Sequence, residues 1–367
     1  MQSALCMLLT AGSLPGGLDE ASLDALWEQA RVDDVDALVA GPLLRSLGGR
    51  YPSLDERLVQ RLREAELRSL LRHRELCRVA AGFAGESVPV LILKGAGLAY
   101  TVYPEPHLRP SRDIDLFIRR DSRDGAARAL AGCGYTRMRE PDGELAGAQA
   151  HYARSDARGI NHFIDLHWRI SNARVFEEAL SFDEAWDGSR LLPTLEPTTR
   201  TLGDEQALLL ACIHRVAHHQ DDSSLLWLWD IHLLAARLGD GEWRHFLDRA
   251  AAAGMRAVSA RGLELACRRF GTSIGQEVLE RLTAPGPAEP AARFLGGRLR
   301  FIDVVRTDLA ASRHWTERAA LLREHLFPSR TYMHALYPRC PGVLLPFAYG
   351  ERLIRGAPKW WRRRPPP

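Results

Sequence analysis

Residues 88–168 constrain the fold of this chain more than any other stretch. They contain three apolar runs of strand length, which are residues 88–93, 114–118 and 160–168. The first run ends at a turn around Gly95, and the other two carry Asp115 and Asp165 within them. Burying a lone carboxylate costs several kcal/mol unless it is paired or binds a cation. The pattern therefore predicts a buried sheet that carries polar chemistry at one end.

The turn after the first run reads Lys94-Gly95-Ala96-Gly97 and leads into a short helical segment. A strand, a glycine turn and the start of a helix together favour phosphate, because the first amides of a helix are unpaired. Two well-known phosphate loops are excluded, since Tyr100 stands where G-x-G-x-x-G needs glycine and no G-K-[ST] follows. Lys94 is one of only two lysines among 49 basic residues. A compact ammonium at this position favours a phosphate ligand.

The second run opens with Asp113 and Asp115 at alternating positions. Alternate side chains of a strand lie on one face, so these two carboxylates are expected to point the same way. With Asp165 they form a set of three acids that can converge on two divalent cations about 3.5 to 4 Å apart, as in phosphoryl transfer. The same D-x-D spacing at Asp34 and Asp36 lies in a helical context and is interpreted as a solvated face.

As a set, these motifs resemble the polymerase-beta-type nucleotidyltransferase superfamily, in which an apolar strand ending in glycine precedes D-h-D and a later h-D-h strand. The chain is still more similar to a bacterial family of uncharacterised nucleotidyltransferases, some of whose members are encoded beside lasso-peptide and related peptide-modification genes. The motifs that carry this similarity are Leu93-Lys94-Gly95, Tyr103-Pro104, Arg109, Asp113-Ile114-Asp115-Leu116, Asp165-Leu166-His167-Trp168, His214, His218 and Leu226-Trp227-Leu228-Trp229-Asp230-Ile231.

The resemblance implies a Mg²⁺-dependent transfer of a nucleoside monophosphate from a nucleoside triphosphate to an acceptor hydroxyl, with release of pyrophosphate. It implies that Asp113 and Asp115 bind two nucleotide-associated Mg²⁺ ions, with Mn²⁺ as an alternative. Asp165 would complete the second metal site and help to deprotonate the acceptor. The predicted nucleotide-binding residues are Lys94, Gly95, Ala96, Arg109, Ser111 and Arg112. The turn departs from the superfamily at Ala96, where a serine or glycine is usual, so phosphate contacts there fall to backbone amides, Lys94 or Ser111.

The predicted fold class is α+β: a small mixed-sheet nucleotidyltransferase core with helices before it and an all-helical domain after it. The expected regions are residues 1–84 (helical, with no pattern that suggests chemistry), 85–190 (core), 200–326 (helical domain) and 327–367 (extension with a basic Trp/Arg/Pro tail). The tail is interpreted as solvated and frayed, and contact with an anionic partner, RNA or a membrane surface is the alternative.

Two interpretations are open for the histidines of the helical domain. His214 and His218 share a helix face, but the glutamate of the zinc-protease signature is missing. In one interpretation they pack two helices together with neighbouring tryptophans. In the other, His214, His218 and Asp230, together with His167, face the catalytic cleft and orient the acceptor or a phosphate.

The acceptor is expected to be a peptide or protein, on the strength of the genes beside family members, with a small molecule or tRNA left open. Nucleic acid is not favoured, because the net charge of +3 is small and no extended basic face is evident. Six scattered cysteines without a C-x-x-C pair fit a reducing cytoplasm. No apolar run predicts a transmembrane segment. The alternative function is a non-catalytic nucleotide-binding accessory protein for a peptide or protein partner.

Overall fold

A mixed sheet lies at the centre of the protein. The structure is a computed structural model that describes residues 2–14, 16–138, 147–297, 299–312 and 314–361. Within those residues the sheet has seven strands, β1 (Val90–Ile92), β2 (Ile114–Ile118), β3 (Thr136–Arg137), β4 (Gln149–Ser155), β5 (Asn161–His167), β6 (Arg190–Leu191) and β7 (Arg200–Thr201). Their order across the sheet is β3-β4-β5-β2-β1-β7-β6. The predicted α+β class is confirmed.

The two central strands, β2 and β5, run parallel to each other, and Asp115 is the direct partner of Asp165. On either side of this pair the neighbours β1 and β4 run antiparallel. The register of β1 pairs Ile92 with Leu116, so the chain leaves β1 beside the start of β2. This topology brings the glycine turn and the acids to the same end of the sheet.

The sheet is buried on both faces. Ile114, Leu116 and Ile164 belong to a core that also contains residues of the long helix before the sheet, whereas Leu91 and Phe117 belong to a second, larger core. Because side chains alternate along a strand, Asp115 lies on the same face as Phe117. The acids therefore point toward the larger core and the helices that form it, as the alternation in the sequence predicts.

Helices surround the sheet. Those before it are α1 (Gln2–Ala11), α2 (Glu20–Val32), α3 (Asp36–Leu47) and α4 (Pro52–Gly85), and those between its strands are α5 (Lys94–Ala99), α6 (Arg123–Gly132) and α7 (Phe182–Asp187). Those after it are α8 (Asp204–Ala217), α9 (Leu225–Ala235), α10 (Asp240–Ala252), α11 (Arg256–Phe270), α12 (Gln276–Thr283), α13 (Phe301–Ala311), α14 (Trp315–Leu326), α15 (Arg330–Leu336) and α16 (Leu345–Trp361). None of these helices has the length and apolar character that a membrane crossing needs.

Helices from both sides of the sheet share the larger core. Leu26 of α2 and Leu43 of α3 belong to the same cluster as Leu209 of α8 and Leu263 of α11. The predicted boundaries of the four regions stay predictions, but the helical segments before and after the sheet pack on each other. Between them and the sheet lies a cleft of about 980 Å³.

The expectation of a solvated face at Asp34 and Asp36 is wrong for Asp36. The residue is 8% exposed, and its carboxylate lies 2.5 Å from Nε of Arg61 on α4. Packing of α3 against α4 buries the start of α3, and the arginine supplies the countercharge that a buried carboxylate needs. The spacing of a D-x-D pair alone does not distinguish a solvated carboxylate from a paired one.

Candidate active site

The acids meet as the sequence predicts. Asp115, Asp165 and His167 each place one ligand-type atom within 4.8 Å of the others. Asp115 and Asp165 are strand partners, and His167 lies two residues after Asp165 on the same face of β5. The sequence placed His167 near the acceptor, whereas the structure places it inside the acid cluster.

Asp115 is held by two donors. The Nζ atom of Lys94 lies 2.7 Å from its Oδ1 atom, and Nε2 of His167 lies 2.8 Å from the same oxygen. Burial opposes the charged form of Asp115, but the ammonium and the histidine outweigh it and hold the pKa of this carboxyl well below its usual range. Burial, with Lys94 nearby, lowers the pKa of His167. His167 therefore donates as a neutral imidazole, and its Nδ1 has no hydrogen-bond partner among the described residues.

Asp165 has a partner that the sequence analysis missed. Nδ1 of His151 on β4 lies 2.5 Å from Oδ1 of Asp165, and the two residues are paired across β4 and β5. Gln149 contacts the other ring nitrogen of His151 at 2.8 Å. No motif singles out His151, because its partner depends on the register of β4 and β5, which the local sequence does not specify.

Asp113 lies just before β2, beside the other two acids. Burial, with the charges of Asp115 and Asp165 nearby, raises the pKa of the Asp113 carboxyl to about 6. Three carboxylates that crowd together without a countercharge for each favour a proton or a cation among them. The contrast between Asp113 and Asp115 follows from Lys94, whose ammonium is bonded to Asp115.

The loop that leads into β2 is braced from α4. Arg72 donates to the carbonyl oxygen of Ser111 at 2.6 Å and to that of Arg109 at 3.4 Å. The Ser111 hydroxyl donates to the carbonyl oxygen of Asp113 at 2.7 Å, so it supports the loop that carries this acid. The Arg112 side chain is 90% exposed at the cleft, 3.7 Å from Asp34. Of the three predicted nucleotide-binding residues in this loop, Arg109, Ser111 and Arg112, it is Arg112 whose side chain is exposed at the cleft.

Arg109 and Asp230 form an ion pair with each other. From the sequence, Arg109 is predicted to bind the nucleotide and Asp230 to orient the acceptor or a phosphate. Nε and Nη2 of Arg109 donate to the two carboxylate oxygens of Asp230 at 2.8 and 2.7 Å. Tyr103 donates to the same carboxylate at 2.6 Å. Both charged side chains are nearly fully buried. The tertiary contact between these two residues could not be read from the motif around either one. The pair connects the loop before β2 to α9.

The glycine turn forms the six-residue helix α5. Lys94 has a φ of 50°, in the left-handed region that non-glycine residues rarely adopt and that is often found at functional sites. Gly95 lines the cleft, whereas Ala96 packs its side chain in the core behind the sheet and can offer only its backbone. A Cβ atom at Gly97 would lie 2.9 Å from the carbonyl oxygen of Ile92 and against Thr201. This close approach requires glycine.

Histidines of the helical domain pack against a tryptophan and also line the cleft, so each of the two interpretations describes part of what the structure shows. The rings of His214 and His219 pack on Trp227 with centroids 5.1 and 4.5 Å away, and His214, His218 and His219 also line the cleft. Burial, with Lys94 nearby, holds the pKa of His214 and His218 well below the usual range, so both rings are neutral. Nδ1 of His214 and Nε2 of His218 find no hydrogen-bond partner among the described residues.

Helices α2 and α4 form the opposite wall of the cleft, although residues 1–84 show no sequence pattern that suggests chemistry. Among the lining residues from these helices are Trp27, Arg31, Arg57, Arg61, Arg68 and Arg72. The four arginines of α4 recur at positions i, i+4, i+11 and i+15, which lie on one face of a helix. That spacing is a signal that the sequence analysis missed.

The donor set fits a divalent cation. Carboxylate oxygens suit Mg²⁺ and Mn²⁺, and an imidazole is also a ligand of the first-row metals. The cluster of Asp115, Asp165 and His167 supplies both types, with Asp113 beside it. The raised pKa of Asp113 and the orphan Nδ1 of His167 are features of a site with unmet demand for a cation or a proton.

One comparison with known proteins identifies the family. A family model described as uncharacterised nucleotidyltransferase matches residues 19–271, well over half of the chain. That span includes the acids, the glycine turn, the histidines and the wall formed by α2 and α4. No curated protein matches the chain. The chain belongs to the family of uncharacterised nucleotidyltransferases.

Proposed function

We propose that this protein transfers a nucleoside monophosphate from a nucleoside triphosphate to an acceptor hydroxyl and releases pyrophosphate. The observation that carries the proposal is the in-register pair of Asp115 and Asp165, with Asp113 and Lys94 beside it, at the base of a cleft of about 980 Å³. Nucleotidyl transfer is catalysed mainly by positioning the reactants and neutralising their charge. Three acids, a cation and a glycine turn can do both.

Asp113, Asp115 and Asp165 are the proposed ligands of two Mg²⁺ ions, for which Mn²⁺ can substitute, and His167 is a further ligand candidate. The metal would neutralise charge on the triphosphate and steady the attacking and leaving oxygens. His167 and Lys94 already converge on Asp115. They therefore hold this carboxylate in place and charged before any ligand arrives.

Lys94 and the backbone at Gly95 are proposed to bind the triphosphate, with Arg112 reaching it from the exposed loop. Asp165, oriented by His151, takes the proton of the acceptor hydroxyl. The acceptor oxygen bonds to the α-phosphorus as the bond from that phosphorus to the pyrophosphate oxygen breaks. Arg109 and Asp230 serve as a buried support for the loop, and neither needs to touch the nucleotide.

A peptide or protein hydroxyl is the proposed acceptor. Support comes from the wall of the cleft, where Arg61 is paired with Asp36 and Arg57 with Asp24, so two of the four arginines in the row already have a countercharge. Nucleic acid binding depends on unneutralised cations along the strand. The neutral imidazoles of His214 and His218 on the other side of the cleft offer hydrogen bonds for an acceptor hydroxyl.

The first test is thermal stabilisation by each of the four nucleoside triphosphates, with and without Mg²⁺. A ligand that binds only the folded protein raises the melting temperature according to its concentration over its Kd. We expect a Mg²⁺-dependent rise for the wild type that is absent in Asp113→Asn and retained in Asp187→Asn, an exposed acid outside the site. The same shift in Asp113→Asn would refute the assigned site.

A second candidate, nucleotide-dependent partner binding without transfer, is favoured by one observation. Asp115 is satisfied by Lys94 and His167, so part of the acid cluster is stable without a cation. Pyrophosphate release in the presence of a peptide acceptor separates the two functions. Asp165→Asn should abolish release if the protein is a transferase, and it should leave partner binding unchanged if the protein is an accessory factor.

A further inference from the structure

The last helix carries an exposed apolar stripe, formed by Val343, Phe347, Ile354 and Trp361. Their relative exposures are 85%, 75%, 76% and 59%. Val343 lies in the turn just before α16, and the spacings of four, seven and seven residues place all four on one helix face. Scattered exposed apolar residues are normal on a protein surface, but an aligned row of large ones indicates a contact surface.

The opposite face of α16 is fixed to the body of the protein. Leu345 and Ala348 pack in a small core with Met333, and Arg352 donates to the carbonyl oxygens of His325 and Leu326 at 3.2 and 3.4 Å. These contacts orient the apolar stripe outward.

The interpretation of a frayed tail is therefore wrong up to Trp361, since this part is a packed helix, and residues 362–367 lie outside the described part of the chain.

The end of the helix is also anchored. The ring of Trp360 packs edge-on against Phe301 of α13, with centroids 5.3 Å apart, and Arg300 lies over the ring of Trp361 at 5.7 Å. The stripe is therefore held at both ends and needs no folding step to present its apolar side chains. Preorganised contact surfaces lose little conformational entropy on binding.

The charge around the stripe is strongly one-sided. Residues 328–367 contain eight arginines and lysines and a single acid, Glu351, although the whole chain has a net charge of only +3. The rest of the chain is thus net negative. Arg355, whose side chain is 76% exposed, borders the stripe and pairs with Glu351 at 2.8 Å, so the other seven cations have no acid left to pair with inside this segment. Three of them, Arg362-Arg363-Arg364, follow α16 in the sequence, outside the described residues.

We propose that α16 docks this protein on an anionic lipid surface. A helix with an apolar face, a basic border and a tryptophan at its end has the composition of helices that lie in the plane of a membrane interface. The apolar stripe would enter the boundary of the acyl chains, and the excess positive charge of residues 328–367 would be attracted to lipid phosphates. A groove in a partner protein would match the apolar row but would not by itself account for the local excess of cations. The proposal does not depend on the proposed reaction.

The test is cosedimentation of the full chain with vesicles of phosphatidylcholine alone and of equimolar phosphatidylcholine and phosphatidylglycerol. We expect binding to the anionic vesicles that weakens as salt is raised, because surface electrostatics is screened. The affinity of the double variant Phe347→Ser with Ile354→Ser for these vesicles should be lower by about tenfold or more, since two apolar side chains no longer enter the interface. Its melting temperature should equal that of the wild type, because both side chains are exposed.

The matched control is Leu67→Ser with Leu70→Ser, which removes two exposed apolar side chains of α4, 58% and 64% exposed. This variant should bind vesicles like the wild type. Absence of binding to anionic vesicles, equal binding to both vesicle types, or equal binding by the Phe347/Ile354 variant would each overturn the proposal. The proposal would also be overturned if sedimentation showed that the wild type is a dimer, that the Phe347/Ile354 variant is a monomer, and that neither binds vesicles.

Discussion

The Nζ atom of Lys94 lies 2.7 Å from Oδ1 of Asp115, on the carboxylate oxygen that also receives Nε2 of His167. One side chain of the proposed triphosphate site is thus bonded to a proposed metal ligand. For both ligands to bind, Lys94 must exchange this carboxylate for a phosphate. The ion pair keeps Asp115 ionised in the free protein, and a metal ion would take the place of the ammonium in the proposed complex.

Replacing Lys94 by glutamine should affect the two ligands in opposite directions. Affinity for Mn²⁺ alone should be unchanged or higher, because a competing ammonium is removed from Asp115. Affinity for a Mg²⁺-bound nonhydrolysable triphosphate should fall about tenfold or more, since a charge-assisted contact is lost. Calorimetric titration of both ligands checks this. A parallel loss of both affinities would mean that Lys94 only maintains the fold of the turn.

Cation binding should depend on pH through Asp113. Its pKa is about 6 in the free protein, so protons compete with the cation below that pH. Mn²⁺ affinity should be about tenfold lower at pH 5 than at pH 7.5, because roughly one unit below its pKa a carboxyl is mostly protonated. Asp113→Asn should bind more weakly and lose this pH dependence near 6. A flat profile in the wild type would contradict the assignment.

The same carboxyl should influence stability. A folded-state pKa raised above the unfolded value of 3.8 contributes stability that is fully present below pH 3.8 and is lost as the pH rises through about 6. Without divalent cations, the free energy of unfolding of Asp113→Asn should therefore be about 3 kcal/mol higher than that of the wild type at pH 8. The two proteins should be similar near pH 4. Urea denaturation at both pH values measures the difference.

Breaking the buried pair of Arg109 and Asp230 should be costly. Asp230→Asn leaves the guanidinium without its countercharge and should lower the free energy of unfolding by about 3 to 5 kcal/mol. The double variant Arg109→Met with Asp230→Leu should recover much of that loss, because no buried charge remains. If the double variant also binds Mg²⁺-nucleotide, the pair is a support for the loop. Loss of nucleotide binding in a folded double variant would restore Arg109 as a direct ligand.

Gly97→Ala tests the close packing of α5 on the sheet. The added methyl group would press on the carbonyl oxygen of Ile92 and on Thr201, and we expect a loss of about 1 to 3 kcal/mol. Gly132→Ala at the end of α6, where nothing lies within 4 Å of the new atom, is the matched control and should be neutral or slightly stabilising. Equal effects of the two substitutions would argue against the crowding.

The central strands were predictable because their apolar runs are continuous and their acids alternate. Residues 114–118 form β2 as predicted, and Asp115 and Asp165 meet because β2 and β5 are parallel neighbours in register. The pairing of Arg109 with Asp230 was not predictable, since the partners are 121 residues apart and each stands in a motif of its own. His151 was missed for a related reason, because its contact depends on strand register rather than on local pattern.

The larger core joins Leu26 and Leu43, from the beginning of the chain, to Leu209 and Leu263, far beyond the sheet. During synthesis the three acids therefore leave the ribosome well before the helices that close the cleft over them. A nascent chain that ends after β5 exposes Leu91 and Phe117 and has only one wall of the cleft. The cleft is complete only when α8 to α11 have folded onto the helices that precede the sheet, so premature termination in this region yields a fragment with exposed apolar residues and an incomplete cleft.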